Sequence, residues 1–236
     1  MSGEPNILLS KLRSCPKSSE EMPGYFSEVA ELLMNKYVIS KRGAVYEIVE
    51  IEFYLVSPAH HDFITYPRNV AVGEWFFHQS GVDLTFESNR DHFGGILLRG
   101  IKRITPRAQG DGRPLLILGP QKCVDELWDN FNAFEATASE IPIIIPGDGK
   151  VEESPLTAYQ RWIPVRKGDD VSAKIRKWIE RIETEGYFIN NEVIYNEDIN
   201  KISSLIFESK YRYLKEASID KESSEWKKYT SKPKTI

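Results

Sequence analysis

Apolar and polar residues alternate along most of the segment from residue 45 to residue 55. Three aliphatic residues fall on one side of the alternation, and Tyr46, Glu50 and Glu52 fall on the other. Side chains alternate between the two faces of a β-strand, so the pattern predicts a half-buried central strand. On this interpretation both glutamates share the wetter face, and the simplest assignment for each is a surface charge.

Comparable patterns predict the other elements. Residues 26–34 carry a helical apolar stripe, with Ser27 as a candidate N-cap. Two apolar runs at 73–81 and 82–86 predict a hairpin. Further strands are predicted at 37–40, 94–101, 141–147 and 159–165, and helices at 121–131 and beyond residue 170.

These elements favour an α+β fold, a single domain around a curved, mainly antiparallel β-sheet with flanking helices, plus a helical C-terminal extension. Residues 1–22, rich in Ser, Pro, Lys and Glu, are predicted to form a flexible N-terminal arm. Residues 23–168 would form the α/β domain. Residues 169–236 would form the helical extension with a frayed tail, which could dock a partner protein.

Composition narrows the class of protein. The 236 residues are 41% hydrophobic and 28% charged, which suits a packed globular chain. A net charge of −4 argues against a broadly basic nucleic-acid binder, although a local basic stripe is compatible with it. Two cysteines without ligand spacing to any histidine give no disulfide framework and no metal site. No apolar run approaches a membrane span and no signal peptide is apparent, so an intracellular protein is expected.

Candidate chemistry gathers just after the central strand. Glu52 is followed within about ten residues by Tyr54, His60, His61 and Asp62. An aromatic side chain, an imidazole and a carboxylate on one strand-to-loop unit could form a base-binding pocket beside an acid–base group. Asp62 could fix the tautomer of the adjacent His61.

Short motifs extend this picture along the chain. The sequence is V-E-I-E-F-Y-L at 49–55, A-H-H at 59–61, Y-P-R-N at 66–69, an aromatic strand closing on S-G at 80–81, and L-L-R-G at 97–100. This order resembles the alkyladenine (3-methyladenine) DNA glycosylase family of the monofunctional mixed α/β type, with V-E-T-E-A-Y-L, A-H, T-P-R-N, Y-G and L-L-R-A. The resemblance covers residues 28–165 and suggests a divergent member.

The resemblance implies a DNA repair hydrolase that flips a damaged or alkylated purine out of DNA and cleaves its N-glycosidic bond. Glu52 matches the general base that activates water, and Arg99 matches the arginine that helps to hold that water. A carboxylate suits this chemistry because it can deprotonate water and stabilise an oxocarbenium-like transition state. From the residues alone, an ion pair between Arg99 and Glu52 or Glu50 is equally consistent. The resemblance implies no cofactor, and we expect a monomer that binds duplex or single-stranded DNA.

The same resemblance assigns a base pocket. Tyr54 matches a tyrosine that stacks on the extruded base, and Phe77 matches a second aromatic wall. His61 or His60 matches the histidine that recognises the base edge. Core packing is the alternative for both aromatic residues, and a structural or surface role is expected for His78.

DNA contacts are implied for another group of residues, namely Arg68, Asn69, Ser80, Lys102 and Arg103. Two positions depart from the family. Ser80 stands where the family has a tyrosine that wedges into the duplex, and Glu87 falls near a pocket asparagine. A serine cannot fill a base-pair gap. The alternative function is therefore a non-catalytic relative that binds nucleic acid or a nucleoside-like ligand in the same pocket.

Overall fold

The computed structural model describes residues 7–16, 18–109, 111–112, 115–129, 140–163, 168–187 and 199–230. Its helices are α1 (Ile7–Arg13), α2 (Met22–Lys36), α3 (Pro120–Leu127), α4 (Val171–Thr184), α5 (Ile199–Glu208) and α6 (Ser224–Thr230). Its strands are β1 (Tyr37–Lys41), β2 (Ala44–Ser57), β3 (His60–His61), β4 (Trp75–His78), β5 (Gly81–Thr85), β6 (Phe93–Arg103), β7 (Leu116–Leu118), β8 (Ile143–Pro146), β9 (Thr157–Tyr159) and β10 (Arg212–Leu214).

Strand β2 is the centre of a curved antiparallel half-barrel sheet with the order β4-β5-β6-β2-β1-β8. One edge of β2 pairs with β6 from Tyr46 to Val56. Its other edge pairs in succession with β1, β10 and β3. The predicted α+β fold with a curved, mainly antiparallel sheet is confirmed.

A β-bulge in β2 changes the predicted division of its faces. The register with β6 shifts on both sides of Glu50, so Val49 and Glu50 lie on the same face. Ile51 instead joins the main core on the opposite face. The prediction that the glutamates lie on a wet face was wrong, because Glu50 and Glu52 are both fully buried.

The main core lies between the sheet and helix α2. Phe26 of α2 stacks on Phe53 of β2, with ring centroids 4.5 Å apart. The helix begins at Met22, with Pro23 in its first turn, where a missing N–H costs no helical hydrogen bond. Ser27 is therefore not the N-cap, and Glu21 occupies that position without a side-chain cap.

The two ends of the chain contribute more than the sequence predicted. Part of the proposed N-terminal arm is helix α1, whose Leu8 and Leu12 are buried in the main core. Beyond residue 169 the chain also supplies strand β10, which pairs with β2. The C-terminal segment is thus built into the sheet and is not a purely helical extension. Residues 231–236 of the predicted frayed tail lie outside the described residues.

Two predicted elements differ in extent. The strand expected at 159–165 is reduced to β9, residues 160–163 follow it without strand pairing, and 164–165 lie outside the described ranges. Helix α3 ends at Leu127, and residues 130–131 of the predicted helix are likewise not described. In the parts of the chain that are described, no helix combines the length and apolar content needed to cross a membrane.

Candidate functional site

A cleft with a volume of about 320 Å³ opens between the sheet and helix α4. Strands β2 and β6, the β4–β5 hairpin and the segment after β9 contribute its other walls. Its aromatic lining consists of Tyr54, Tyr66, Trp162 and Trp178, and its cationic lining of Arg68, Arg99, Lys174, Lys177 and Arg181. Asp83 is the carboxylate that accompanies them.

The bulge in β2 explains how an ion-pair network forms beside this cleft. Because the register shifts at Glu50, this residue and Glu52 face the same side of the sheet as Arg99 of β6. Arg99 donates from Nε to Glu50 Oε1 and from Nη1 to Glu52 Oε2, each at 3.0 Å. Burial disfavours the charged guanidinium, but Glu52 and Glu50 outweigh it and raise the pKa of Arg99 well above its usual value.

Glu50 binds two arginines, Arg99 and Arg212, and Tyr229 of helix α6. Its Oε1 also accepts hydrogen bonds from Arg212 Nε at 2.7 Å and from the Tyr229 hydroxyl at 2.6 Å. Arg99 Nη2 in turn donates to the Tyr229 oxygen at 3.0 Å. Residues at the far end of the chain therefore complete the network around the two central glutamates.

Glu52 is connected to the cleft by hydrogen bonds to two residues of the cleft lining, Tyr54 and Trp162. It is fully buried and is not itself part of the cleft lining. Its Oε2 accepts a hydrogen bond from the Tyr54 hydroxyl at 2.7 Å, and its Oε1 accepts one from the Trp162 backbone N–H at 2.8 Å. Burial, followed by the Glu52 charge, raises the pKa of Tyr54 well above its usual value, so the phenol stays protonated and donates to Glu52.

The aromatic walls differ from those that the sequence predicted. Tyr54 lines the cleft as expected, and Arg161 lies 4.8 Å from its ring centroid. Phe77 lies outside the cleft: it is 51% exposed and packs edge-on against Trp128. Trp162, which follows strand β9, contributes an aromatic wall in its place.

Neither histidine of the predicted base-reading pair lines the cleft. His60 packs beside the main core, 5.6 Å from the Tyr211 ring, and burial lowers its pKa to about 4. His61 stacks on Phe63, and its Nε2 lies 3.2 Å from the Pro58 carbonyl oxygen. The cleft contains His78 instead.

Asp62, which the sequence offered as a partner for His61, forms a buried ion pair with Arg161. Its carboxylate accepts from both terminal nitrogens of Arg161, at 2.5 and 2.8 Å, and all of these groups are buried. Arg161 also donates to the carbonyls of Phe53 and Ile206. This pair ties the segment after β3 to the segment after β9.

Arg68, one of the predicted DNA contacts, lies in the wall of the cleft at 2% exposure. Its Nη1 lies 2.7 Å from Asp83 Oδ2, and His78 Nε2 lies 2.9 Å from the other oxygen of Asp83. Burial opposes ionisation of Asp83, but Arg68 overcomes this effect and lowers the pKa of the carboxyl group. Asn69, beside Arg68, is exposed and does not line the cleft.

Lys102 and Arg103 do not contribute to the cleft. Lys102 Nζ donates to the Ser218 carbonyl at 3.0 Å, and Arg103 Nε donates to the Thr105 carbonyl at 3.2 Å. Ser80 does line the cleft, in the exposed turn between β4 and β5. Glu87 is exposed and lies outside the lining.

Helix α4 supplies the cationic groups that the sequence interpretation missed. Lys174, Lys177, Trp178 and Arg181 all line the cleft. Their spacing of three, four and seven residues from Lys174 places them on one helical face. That periodicity was available in the sequence, where an apolar stripe of Ile175, Trp178, Ile179 and Ile182 predicts the same helix. The stripe already contained Trp178, but not the three cations beside it.

Within the described ranges, no group of three or more His, Cys, Asp or Glu side chains is arranged to hold a metal ion.

Comparison with known proteins gives little functional guidance. No family model matches the chain, and no solved structure matches it. The chain is similar to "Uncharacterized protein L759" of Acanthamoeba polyphaga mimivirus, with 26% identity over 132 residues. The match covers 45% of this chain and 58% of that protein, less than two thirds of its length.

Proposed function

We propose that this protein is a DNA glycosylase that hydrolyses the N-glycosidic bond of a modified purine held in the cleft between β2 and α4. The observation that carries the proposal is the hydrogen-bonded unit of Glu52, Tyr54 and Arg99, in which a buried carboxylate is joined to two residues of an aromatic cleft. A base flipped out of DNA needs aromatic or apolar surfaces on which to stack. The proposal places the protein inside the cell, as a monomer acting on DNA.

The burial of Glu52 implies that Tyr54 relays the proton. Water attacks the anomeric carbon as the bond from that carbon to the base nitrogen breaks, and the bonding electron pair leaves with the base. The water proton passes to the Tyr54 oxygen while Tyr54 passes its own proton to Glu52. Arg99 stabilises the Glu52 carboxylate before transfer and holds its orientation. The proton later returns from Glu52 through the Tyr54 hydroxyl group to water in the cleft, which balances the proton that the departing base takes up.

The charge of the cleft favours uncharged modified bases. Five cationic side chains line the cleft, but Arg68 is paired with Asp83, Arg99 with Glu50 and Glu52, and Lys174 with Asp169. The excess positive charge of the cleft therefore comes from Lys177 and Arg181. A cationic base such as 7-methylguanine would be repelled, whereas hypoxanthine or ethenoadenine would not. The same cations would stabilise the negative charge that a neutral base acquires as it leaves, before water protonates it.

A second candidate function is favoured by one specific feature of Glu52. Both of its oxygens already accept hydrogen bonds, and its exposed fraction is zero. A carboxylate satisfied in this way also suits a purely structural role. In that case the cleft would bind a nucleoside-like ligand or a nucleic acid without hydrolysing it.

A base-release assay distinguishes the two functions. Oligonucleotides carrying hypoxanthine, ethenoadenine or 7-methylguanine would be incubated with the protein in duplex and single-stranded form. Release of an uncharged modified base in preference to 7-methylguanine supports the glycosylase. Binding without release from any substrate would contradict it and support the non-catalytic alternative.

A further inference from the structure

Two arginines meet at one end of the cleft. Arg68 Nε donates to the Tyr66 carbonyl at 3.0 Å, and the Arg181 guanidinium carbon lies 4.6 Å from the Tyr66 ring centroid. Tyr66 thus holds one guanidinium through its backbone and the other through its ring. The arrangement brings two permanent positive charges together beside a space large enough for a ligand.

Each guanidinium retains unused donors. Arg68 Nη2 and Arg181 Nε are buried and have no hydrogen-bond partner among the residues that the structure describes. Arg68 itself is 2% exposed. Buried N–H groups are almost always satisfied, so an unsatisfied pair of cationic donors at a cleft points to a missing acceptor.

The compensating charge at this end of the cleft is small. Asp83 balances Arg68, and His78 shares the same carboxylate. Arg181 donates to two backbone carbonyls, those of Ile64 and Thr65. Backbone carbonyls satisfy hydrogen bonds but do not neutralise the charge.

The electrostatic environment of Arg181 also favours a bound anion at this end of the cleft. Burial lowers the pKa of Arg181, and the neighbouring Arg68 guanidinium lowers it further, against the opposing effects of Tyr66 and Glu185. Two like charges in a partly desolvated place repel each other until an anion binds between them. Lys177, one turn before Arg181 on α4, adds a third cation to the same wall.

We propose that Arg68 and Arg181, assisted by Lys177, form a subsite that binds a phosphate group of the nucleotide whose base occupies the aromatic part of the cleft. Guanidinium groups suit this task because their planar N–H forks match phosphate oxygens. Arg181 and Lys177 lie outside the segment that resembles the glycosylases. The subsite rests on the proposed function for its base-binding half, but the anion site is tested separately.

The phosphate could be a phosphodiester of a DNA strand or the terminal phosphate of a free nucleotide. Calorimetric titrations of the full chain at low salt would compare deoxyinosine, its 5′-monophosphate, inorganic phosphate and a single-stranded oligonucleotide containing one deoxyinosine. Binding of the oligonucleotide at least as tight as that of the monophosphate indicates the strand. Tighter binding of the monophosphate indicates a free nucleotide.

The matched variants are Arg181→Gln and Arg176→Gln, which remove the same charge from helix α4. Arg176 is exposed and does not line the cleft. We expect wild type to bind the monophosphate at least about tenfold more tightly than the nucleoside, in line with the loss of one charge-assisted contact. Arg181→Gln should remove most of this preference, and Arg176→Gln should preserve it. Lys177→Gln, on the same wall, should remove a smaller part and serves as the second test if Arg181→Gln does not fold.

The outcomes separate this subsite from the proposed function. Equal binding of nucleoside and monophosphate by wild type, or equal losses in Arg181→Gln and Arg176→Gln, would overturn the subsite while leaving base binding intact. Binding of inorganic phosphate that depends on Arg181, without any nucleoside binding, would support the subsite and contradict the proposed function. Binding of none of the four ligands would overturn both.

Discussion

Tyr54 and Arg99 donate hydrogen bonds to the same oxygen of Glu52, at 2.7 and 3.0 Å. Tyr54 contributes a transferable proton, whereas the Arg99 guanidinium stays charged. The carboxylate is therefore connected to the cleft by one group that can move a proton and one that can only stabilise charge. This asymmetry makes the roles of the three residues separable by mutation.

Glu52→Gln should reduce base release by about 10²–10⁴-fold, because an amide cannot accept the proton that water loses. Glu50→Gln is the matched control: it removes the same charge from the other carboxylate that Arg99 contacts. Single-turnover base release would be measured for both variants, with circular dichroism to verify folding. Activity of Glu52→Gln comparable to that of wild type would exclude Glu52 as the base.

Tyr54→Phe tests the relay. The substitution keeps the ring and the core volume but removes the hydroxyl group that contacts Glu52. We expect the rate constant for base release to fall by about 10²-fold or more, while the dissociation constant for the nucleoside changes little. A fall in binding with an unchanged rate constant would assign Tyr54 to stacking alone.

Much of the sheet was predictable because the relevant signals are local. The alternation through β2, the aromatic run of β4 and the apolar run around Arg99 all predicted strands that the structure contains. The faces of β2 were not predictable, because the bulge at Glu50 arises from the register with β6. Alternation in the sequence carries no information about a residue inserted into the pairing.

The ion pairs and hydrogen bonds that surround the cleft depend on contacts between distant segments. Tyr229 reaches Glu50 across 179 residues, and Arg161 reaches Asp62 across 99. Local patterns cannot predict such pairs. His60 and His61 appeared functional because they follow Glu52 closely in sequence, yet the turn at residues 58–59 leads them away from the cleft.

Ser80→Tyr should increase action on duplex DNA more than on single strands. Flipping a paired base costs a few kcal/mol, and a tyrosine at the cleft rim could fill the gap that a serine leaves open. Ser80 is exposed in the turn before β5, so the larger side chain has room. Ser80→Ala is the control, and the ratio of duplex to single-strand rates is the measurement. An unchanged ratio would mean that the chain inserts another residue or does not flip bases at all. Gln79, which is also exposed, would be tested before His78, because the His78 side chain is 6% exposed and pairs with Asp83.

His60 should make the protein less stable in acid. Burial is the main reason that its pKa is lowered to about 4 from a usual value of 6.5, with Arg161 and His61 acting in the same direction and Asp62 against them. Between pH 6.5 and pH 4 the unfolded chain therefore binds a proton at this site that the folded chain does not. Stability from neutral His60 is fully present above pH 6.5 and is lost as the pH falls towards 4.

The variant His60→Gln isolates the contribution of His60 to the loss of folding stability in acid. Urea unfolding of wild type and variant at pH 7.5 gives the packing cost of the substitution, which includes the contact between Ser19 Oγ and His60 Nδ1. Going from pH 7.5 to pH 4.5, wild type should lose roughly 2 kcal/mol more than the variant, because protonation of the unfolded histidine penalises wild type alone. Parallel pH profiles for the two proteins would mean that His60 is protonated in the folded state and that the core around Phe26 and Tyr211 admits the charge.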